Sequence, residues 1–263
     1  MAHSHGRNWI AILPWIFLTV LVLFIVIPIL SIFFYIPGGN VATEVNGATL
    51  DAIRISLVTS SASLLLIIAL GLPSARVLAR HEVRGKKLID TIVDLPIVLP
   101  PAVAGLALLL AFAPHSIIGM FLLRYGLILP GNVVAVVLAQ TFVAFPFFVR
   151  SARTAFEEIN PRLEMAAGLL SPSASFSFRK VVLPLASRGL IAGAILAWGR
   201  AMGEFGATLL FAGNLPGVTQ TMPLAIYLDL EENIYQASFV SGILIVISFG
   251  IILAVRYLTG SKS

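Results

Sequence analysis

Long runs of apolar residues, separated by short polar connections, divide the chain into six segments that each have the length of a membrane span. A helix needs about 20 predominantly apolar residues to cross the hydrocarbon core of a bilayer. The pattern predicts spans at residues 10–35, 55–75, 92–113, 133–149, 190–211 and 237–255. We therefore expect an all-α polytopic membrane protein whose six transmembrane helices form one bundle.

The composition agrees with a membrane location. Hydrophobic residues make up 59% of the chain and charged residues only 11%, and the mean hydropathy is +1.01. A soluble domain carries about 25% charged residues, so this chain cannot cover a water-facing surface. It has no cysteine, which excludes disulfides and thiolate metal sites. The four histidines are scattered outside metal-ligand spacings, so no metal site is predicted.

The distribution of lysine and arginine predicts the orientation of the spans. If the N-terminus is cytoplasmic, 14 of the 17 basic residues fall on the cytoplasmic side, Arg54 and Arg124 fall outside, and Arg200 lies within a span. Cytoplasmic connections are enriched in basic residues, so both termini are predicted to be cytoplasmic in a multi-pass inner or plasma membrane protein. Because the basic residues are divided among short connections, they form no stripe for nucleic acid, and no nucleic-acid partner is expected.

The cytoplasmic connection between the fourth and fifth spans has helix signals of its own. Asn160 is a good N-cap and Pro161 suits the first helical position, so a short helix is predicted to run to about Leu170. Ser171-Pro172 disfavours helix at that point. Helices of about ten residues are marginal alone in water, so this one needs the bundle or a docking partner.

A second short segment follows the turn in the same connection. Ser173 can cap it, and Pro184 is predicted to mark its end. The connection is therefore predicted to be a helix, a turn and a second helix, all outside the bilayer.

Several residues of this connection resemble the coupling loop, or EAA motif, of binding-protein-dependent ABC importer permeases. The residues that we assign to this loop are Arg162, Glu164, Ala166, Ala167, Ser171, Leu183 and Pro184. In that family the loop docks into a cleft of the ATPase subunit. The family has glycine where this chain has Ser171, which lacks the conformational freedom of glycine, so we expect the chain to turn through Pro172.

Two further segments, residues 84–105 and 198–207, are similar to permeases for molybdate, tungstate and sulfate, and the second is most similar to the molybdate branch. The resemblance implies the type I ABC importer permease fold, with a cytoplasmic coupling helix, for residues 51–257. Residues 1–50 would then form an N-terminal transmembrane helix and the first outer loop, and residues 258–263 a cytoplasmic tail.

The same two segments contain features that are costly at membrane depth. Pro100, Pro101 and Gly105 break or thin a helix, which is tolerated only beside protein or a water-filled cavity. Arg200 and Glu204, four residues apart, would each cost about 2.5–3.5 kcal/mol if they faced lipid, so we expect them to face inward and to pair on one helix face. The candidate translocation pathway comprises Pro100, Pro101, Gly105, Arg200, Gly203, Glu204 and Gly206.

These residues allow two interpretations. Arg200 could contribute to the electrostatics of an oxyanion route, or Arg200 and Glu204 could form a structural pair that locks the fifth span. Gly203 and Gly206 could equally be small-residue contacts between helices.

No catalytic or nucleotide-binding residues are predicted in this chain. Gly85-Lys86 lacks the first glycine and the following Ser or Thr of a phosphate-binding loop. We therefore expect a transport subunit without a cofactor of its own, in which ATP and Mg²⁺ bind a partner. The resemblance implies two ABC ATPase subunits, a second permease copy in a homodimer, and an extracytoplasmic oxyanion-binding protein.

The expected function is the pore-forming permease of an importer for a tetrahedral oxyanion, with molybdate first and tungstate or sulfate/thiosulfate as alternatives. A secondary transporter driven by an ion gradient is a different class. It would show inverted repeats with paired ionisable residues in both halves, and only one half has such a pair.

Overall fold

The computed structural model describes residues 7–36, 46–82, 84–170 and 173–260, which are helical and contain no strand. The helices are α1 Arg7–Phe34, α2 Gly47–Arg80, α3 Lys86–Val98, α4 Pro101–Phe112, α5 Ile117–Leu123, α6 Val133–Glu157, α7 Pro161–Leu170, α8 Ala174–Ser177, a π-helical turn Phe178–Val182, α9 Leu183–Met202, α10 Gly206–Ala212, α11 Met222–Glu232 and α12 Ile234–Gly260.

Five helical segments of the described chain are long and apolar enough to cross a membrane. They are Ile12–Phe34, Gly47–Arg80, Val133–Glu157, Ser175–Met202 and Ile234–Leu253. A bent pair, α3 and α4, supplies a sixth when it is counted as one span. The predicted multi-pass helical bundle is confirmed.

The prediction that the third span is a single helix is wrong. Between α3 and α4 the axis bends by 112°. Leu99 and Pro100 adopt extended backbone angles there, with ψ of 132° and 134°. Each of these residues precedes a proline, whose ring disfavours the helical conformation for the residue before it. The adjacent prolines therefore fold this segment back on itself.

The fifth predicted span begins earlier and ends earlier than its hydropathy indicates. Helix runs from Ser175 to Met202, so the prediction that Pro184 ends a short segment is wrong. The preceding turn is π-helical, with the Leu183 N–H bonded to the Phe178 carbonyl. This wider turn relieves the clash that a proline makes with the carbonyl four residues before it. At the other end, residues 203–205 interrupt the helix before α10.

The centre of the bundle is formed by α2, α6 and α9. Phe148 and Phe156 of α6 are almost completely buried there. Small residues allow the helices to approach closely: a Cβ on Gly193 of α9 would lie 2.7 Å from the Ser151 Cβ, and one on Gly71 of α2 would lie 2.8 Å from the Phe148 ring. Close packing of this kind fixes the relative positions of the three helices.

The N-terminal helix stands apart from this centre. None of the most apolar stretch of α1 is buried within the chain. Near its end, Phe33 and Ile36 contact Gly242 of α12. Helix α2 starts at Gly47, so the boundary that we predicted between residues 50 and 51 falls inside a helix.

Candidate functional site: a docking helix and a broken span

Helix α7 begins as its sequence predicts. The Asn160 side-chain oxygen accepts the Arg162 N–H at 3.0 Å, and the Asn160 carbonyl accepts the Leu163 N–H at 3.0 Å. Pro161 is the first helical residue and Leu170 the last. The predicted turn residues Ser171 and Pro172 lie outside the described part of the chain.

The carboxylate of Glu164 on α7 is held by two arginines of α2. Arg76 Nη2 lies 3.0 Å from Oε2, and Arg80 Nη2 lies 2.6 Å from Oε1. Arg80 also donates to the Ile159 carbonyl at 2.9 Å. The Arg76 guanidinium lies 4.7 Å from the centre of the Phe178 ring, a cation–π contact. Glu164 therefore points into its own chain.

Helix α7 consequently has two different sides. Glu164 and Ala167 face the bundle, and Ala167 is only 4% exposed. The other side, which we call the outward face, carries Arg162, Leu163, Met165 and Ala166 and is exposed. Leu163 and Met165 are 47% and 63% exposed. An apolar face of this kind is typical of a surface that packs against a partner helix or groove.

The last two residues that we assigned to this loop lie elsewhere. Leu183 and Pro184 form the first turn of α9. Leu183 packs against the central core, whereas Pro184 is exposed. The structure thus brings Glu164 and Ala167 to the bundle, Arg162 and Ala166 to the outward face, and Leu183 and Pro184 to the start of a span.

Arg200 and Glu204 of the candidate pathway form the predicted ion pair, with Arg200 Nη2 2.6 Å from Glu204 Oε2. They do not share one helix face, because α9 ends at Met202 and Glu204 lies in the break that follows. The other oxygen, Oε1, accepts the Ala207 N–H at 2.8 Å. Glu204 is 1% exposed, so one buried carboxylate joins the end of α9 to the start of α10.

The predicted segments of the third and fifth spans pack against each other. A Cβ on Gly206 would lie 2.8 Å from the Pro101 Cβ, and one on Gly105 would lie 2.8 Å from Ala207 Cα and O. Helix α4 therefore lies directly on α10, beside Ala207, whose N–H donates to Glu204. Gly203 and Pro100, in contrast, are exposed at the surface of the chain.

Sequence reasoning missed a row of buried serines on α2. Ser56 Oγ accepts the Met222 N–H at 2.7 Å, and Ser63 Oγ donates to Gln140 Oε1 at 3.1 Å. Ser60 Oγ lies 4.0 Å from the sulfur of Met202. Serines at spacings of three and four residues inside a span are the signal that could have revealed them. They connect α2 to three neighbouring helices.

Further ion pairs join α3 to the end of α6 that leads into α7. Arg150 makes two bonds to Asp94, at 2.6 and 2.7 Å, and Arg153 contacts both Asp90 and Glu157 at 2.7 Å. These side chains line an open cavity of about 280 Å³. Val93 of α3 packs against the central core, and the ion pairs add further contacts between α3 and the bundle.

Comparison with known proteins identifies related sequences. The profile of the family described as "Binding-protein-dependent transport system inner membrane component" matches residues 67–258. A probable transport system permease protein of Clostridium pasteurianum is 36% identical over 88% of this chain and 82% of its own. A molybdenum transport system permease protein of Mycobacterium tuberculosis is 36% identical over 92% of both chains. A sulfate transport system permease protein of Salmonella typhimurium is 36% identical over 73% and 70%.

Solved structures show the same fold. A chain of a bacterial ABC transporter that imports the polysaccharide alginate superposes with a TM-score of 0.74, at 17% identity, over 98% of this chain and 100% of that one. A chain of the MetNI methionine ABC transporter, in inward-facing conformations, superposes with a TM-score of 0.62 at 19% identity, over 81% and 94%. The predicted ABC importer permease fold is confirmed.

Proposed function

The chain belongs to the family of binding-protein-dependent transport system inner membrane components, and from this premise we propose that it is the pore-forming permease of an ATP-driven oxyanion importer. The observation that carries the proposal is α7, a short helix fixed to the bundle through Glu164, with Leu163 and Met165 turned outward. An ATPase subunit that packs on this outward face would supply the hydrolysis.

Molybdate is the substrate that we propose. Relatives from Mycobacterium tuberculosis and Haemophilus influenzae, at 36% and 41% identity, carry names of molybdenum transport system permeases. Sulfate is the second candidate, since the Salmonella typhimurium relative is named for sulfate. Tungstate has the same shape and charge as molybdate, so it is a third.

We propose that both termini, the outward face of α7 and the α3–α6 ion pairs lie on the cytoplasmic side. The basic residues support this orientation, because 14 of 17 fall on that side. The Arg76 and Arg80 pairs with Glu164 and the Arg150 and Arg153 pairs lie near this end of the bundle. Ion pairs outside the hydrocarbon core cost far less than pairs inside it.

The assembly that we propose contains two copies of this chain, two ATPase subunits and an extracytoplasmic binding protein. Two glycines at the end of α9 support a close partner helix. A Cβ on Gly199 would meet nothing within 4 Å, and Gly203 is exposed. A second copy that packs here would approach the break between α9 and α10, where the candidate pathway lies; we call these two helices the broken span.

Within this pathway, the geometry favours a structural role for Arg200 and Glu204. Glu204 is buried, and its two oxygens contact Arg200 and the Ala207 N–H. A carboxylate in this position locks the break between α9 and α10. Arg200, which is 29% exposed, would add positive potential near the route without binding the anion tightly.

The test is ATP hydrolysis by the reconstituted complex in proteoliposomes. We expect molybdate, presented by its binding protein, to stimulate hydrolysis and to be taken up, and Met165→Glu on the outward face to abolish the stimulation. Glu231→Gln, an exposed change on α11, is the matched control and should leave stimulation intact. Equal hydrolysis with and without loaded binding protein would contradict the proposal, and stimulation by sulfate alone would reassign the substrate.

A further inference from the structure

The end of α2 carries two arginines on one helical face, and both bind the carboxylate of α7. Arg76 and Arg80 are four residues apart, and their contacts to Glu164 measure 3.0 and 2.6 Å. Their side chains are 28% and 16% exposed, and that of Glu164 is 19% exposed. Since water is largely excluded, these ion pairs are stronger than exposed pairs of the same geometry.

Helix α7 also packs against α8 and the π-helical turn that follows it. The Ser177 hydroxyl donates to the Glu164 carbonyl at 3.4 Å, and the buried side chain of Ala167 offers only one methyl group. The two arginines supply the charged contacts between α7 and α2, which is a membrane-spanning helix. A force applied to the outward face of α7 would reach α2 through them.

Helix α2 is built to transmit such a force over a long distance. It contains 34 residues without interruption, which is about 51 Å at 1.5 Å per residue and exceeds the roughly 30 Å hydrocarbon core of a bilayer. Beyond the arginines, Ser63 binds Gln140 of α6, and Ser60 contacts Met202. Met202 is the last residue of α9 before the break that contains Glu204.

We propose that Arg76 and Arg80 are positioning residues that transmit the movement of α7 to α2 and, through Ser60 and Met202, to the broken span. This role rests on the proposed function, because it requires an ATPase on the outward face. Glu164 then acts inside the permease as the point where α7 is attached, and the outward face contacts the ATPase.

The experiment compares basal hydrolysis, stimulated hydrolysis and uptake in the reconstituted complex, with molybdate and its binding protein as the stimulus. The test variant carries Arg76→Gln and Arg80→Gln. The control variant carries Arg84→Gln and Arg188→Gln, which remove the same charge at exposed positions. A third variant exchanges the charges, with Arg80→Glu and Glu164→Arg.

We expect the test variant to keep its basal hydrolysis and to lose at least about fivefold in stimulation and uptake, as is typical of lost coupling between sites. The control should behave as the unsubstituted complex does, and the charge exchange should recover part of the stimulation. Normal stimulation in the test variant, in a preparation where Met165→Glu abolishes it, would overturn the proposal. Absence of stimulation in the unsubstituted complex would instead contradict the proposed function.

A chemical cross-link between α2 and α7 tests the same role, because it restores the connection in a variant that has lost the ion pairs. The chain has no cysteine, so Arg80→Cys with Glu164→Cys provides a unique pair for a short bis-methanethiosulfonate linker, which spans more than a disulfide can. We expect stimulation to be low before linking and to recover after it. A linked complex that hydrolyses ATP but stays unstimulated would overturn the proposal.

Discussion

Two carboxylates of this chain are paired with arginine in very different surroundings. Glu164 lies between two arginines of another helix and is 19% exposed. Glu204 pairs with one arginine four residues before it, caps the next helix, and is 1% exposed. The Glu164 cluster keeps one excess positive charge, whereas the Glu204 cluster is neutral.

The two surroundings suit two different roles: attachment of a helix that moves, and stabilisation of a backbone break that does not. A partly exposed ion pair costs less to rearrange than a fully buried one, so it suits a helix that must respond to a partner. A buried pair that loses one member leaves an uncompensated charge, so it suits a position that must not move. We infer that Glu164 serves an element that moves, and Glu204 fixes the geometry of the broken span.

The strongest test of this distinction is Glu204→Gln. It leaves Arg200, which is 29% exposed, without its partner, and we expect the free energy of unfolding to fall by about 2–3 kcal/mol. Reversible unfolding of the purified permease in mixed micelles measures this. A loss below about 1 kcal/mol, the value of an exposed pair, would show that Glu204 does not fix the break between α9 and α10.

Removal of both charges distinguishes a structural role of Arg200 and Glu204 from a role in the oxyanion route. Arg200→Gln with Glu204→Gln should be less destabilising than Glu204→Gln alone, because no unpaired charge remains, and the two changes should be non-additive by about 0.5–3 kcal/mol. Transport retained in this double variant would reject an obligatory role for the two charges in transport. Transport lost from a stable double variant would support the route.

The next largest loss of stability is expected where α4 packs on α10 beside Glu204. Gly105→Ala would place a Cβ 2.8 Å from Ala207 Cα and O, and overpacking of this kind costs about 1–3 kcal/mol. Gly250→Ala on α12 is the matched control within the chain, since nothing lies within 4 Å of its added Cβ and the position is exposed. Equal stability of the two variants would show that α4 can shift freely on α10.

At Glu164, we expect a smaller loss of stability than at Glu204 and a larger loss of coupling to ATP hydrolysis. Glu164→Gln should lower the free energy of unfolding by about 1–2 kcal/mol, between the values for exposed and buried pairs. Molybdate-stimulated hydrolysis in the reconstituted complex should fall with it. A stability loss as large as that of Glu204→Gln would remove the distinction between the two carboxylates.

The smallest effect is expected at the α3–α6 pairs. Arg150 is 58% exposed and Asp94 31%, so Asp94→Asn should cost about 1 kcal/mol or less, and less still at high salt. The same unfolding experiment, repeated at low and high ionic strength, measures both values. A salt-independent loss above about 2 kcal/mol would indicate that α3 is held as firmly as the broken span.

Much of the fold followed from local sequence. Runs of apolar residues located the spans, and Asn160 with Pro161 gave the start of α7, because capping depends on neighbouring residues alone. The four-residue spacing of Arg200 and Glu204 indicated their pairing. Each of these features depends on atoms close together in the chain.

The partners of the key side chains depended on the tertiary structure. Arg76 and Glu164 are 88 residues apart, and Ser60 and Met202 are 142 apart, so no local pattern connects them. The break after Met202 lies inside the predicted fifth span, and hydropathy did not reveal it because hydropathy records the polarity of residues and not the direction of the backbone. Packing of α4 on α10, and the positions of α2 and α7 in the bundle, decided which charges meet.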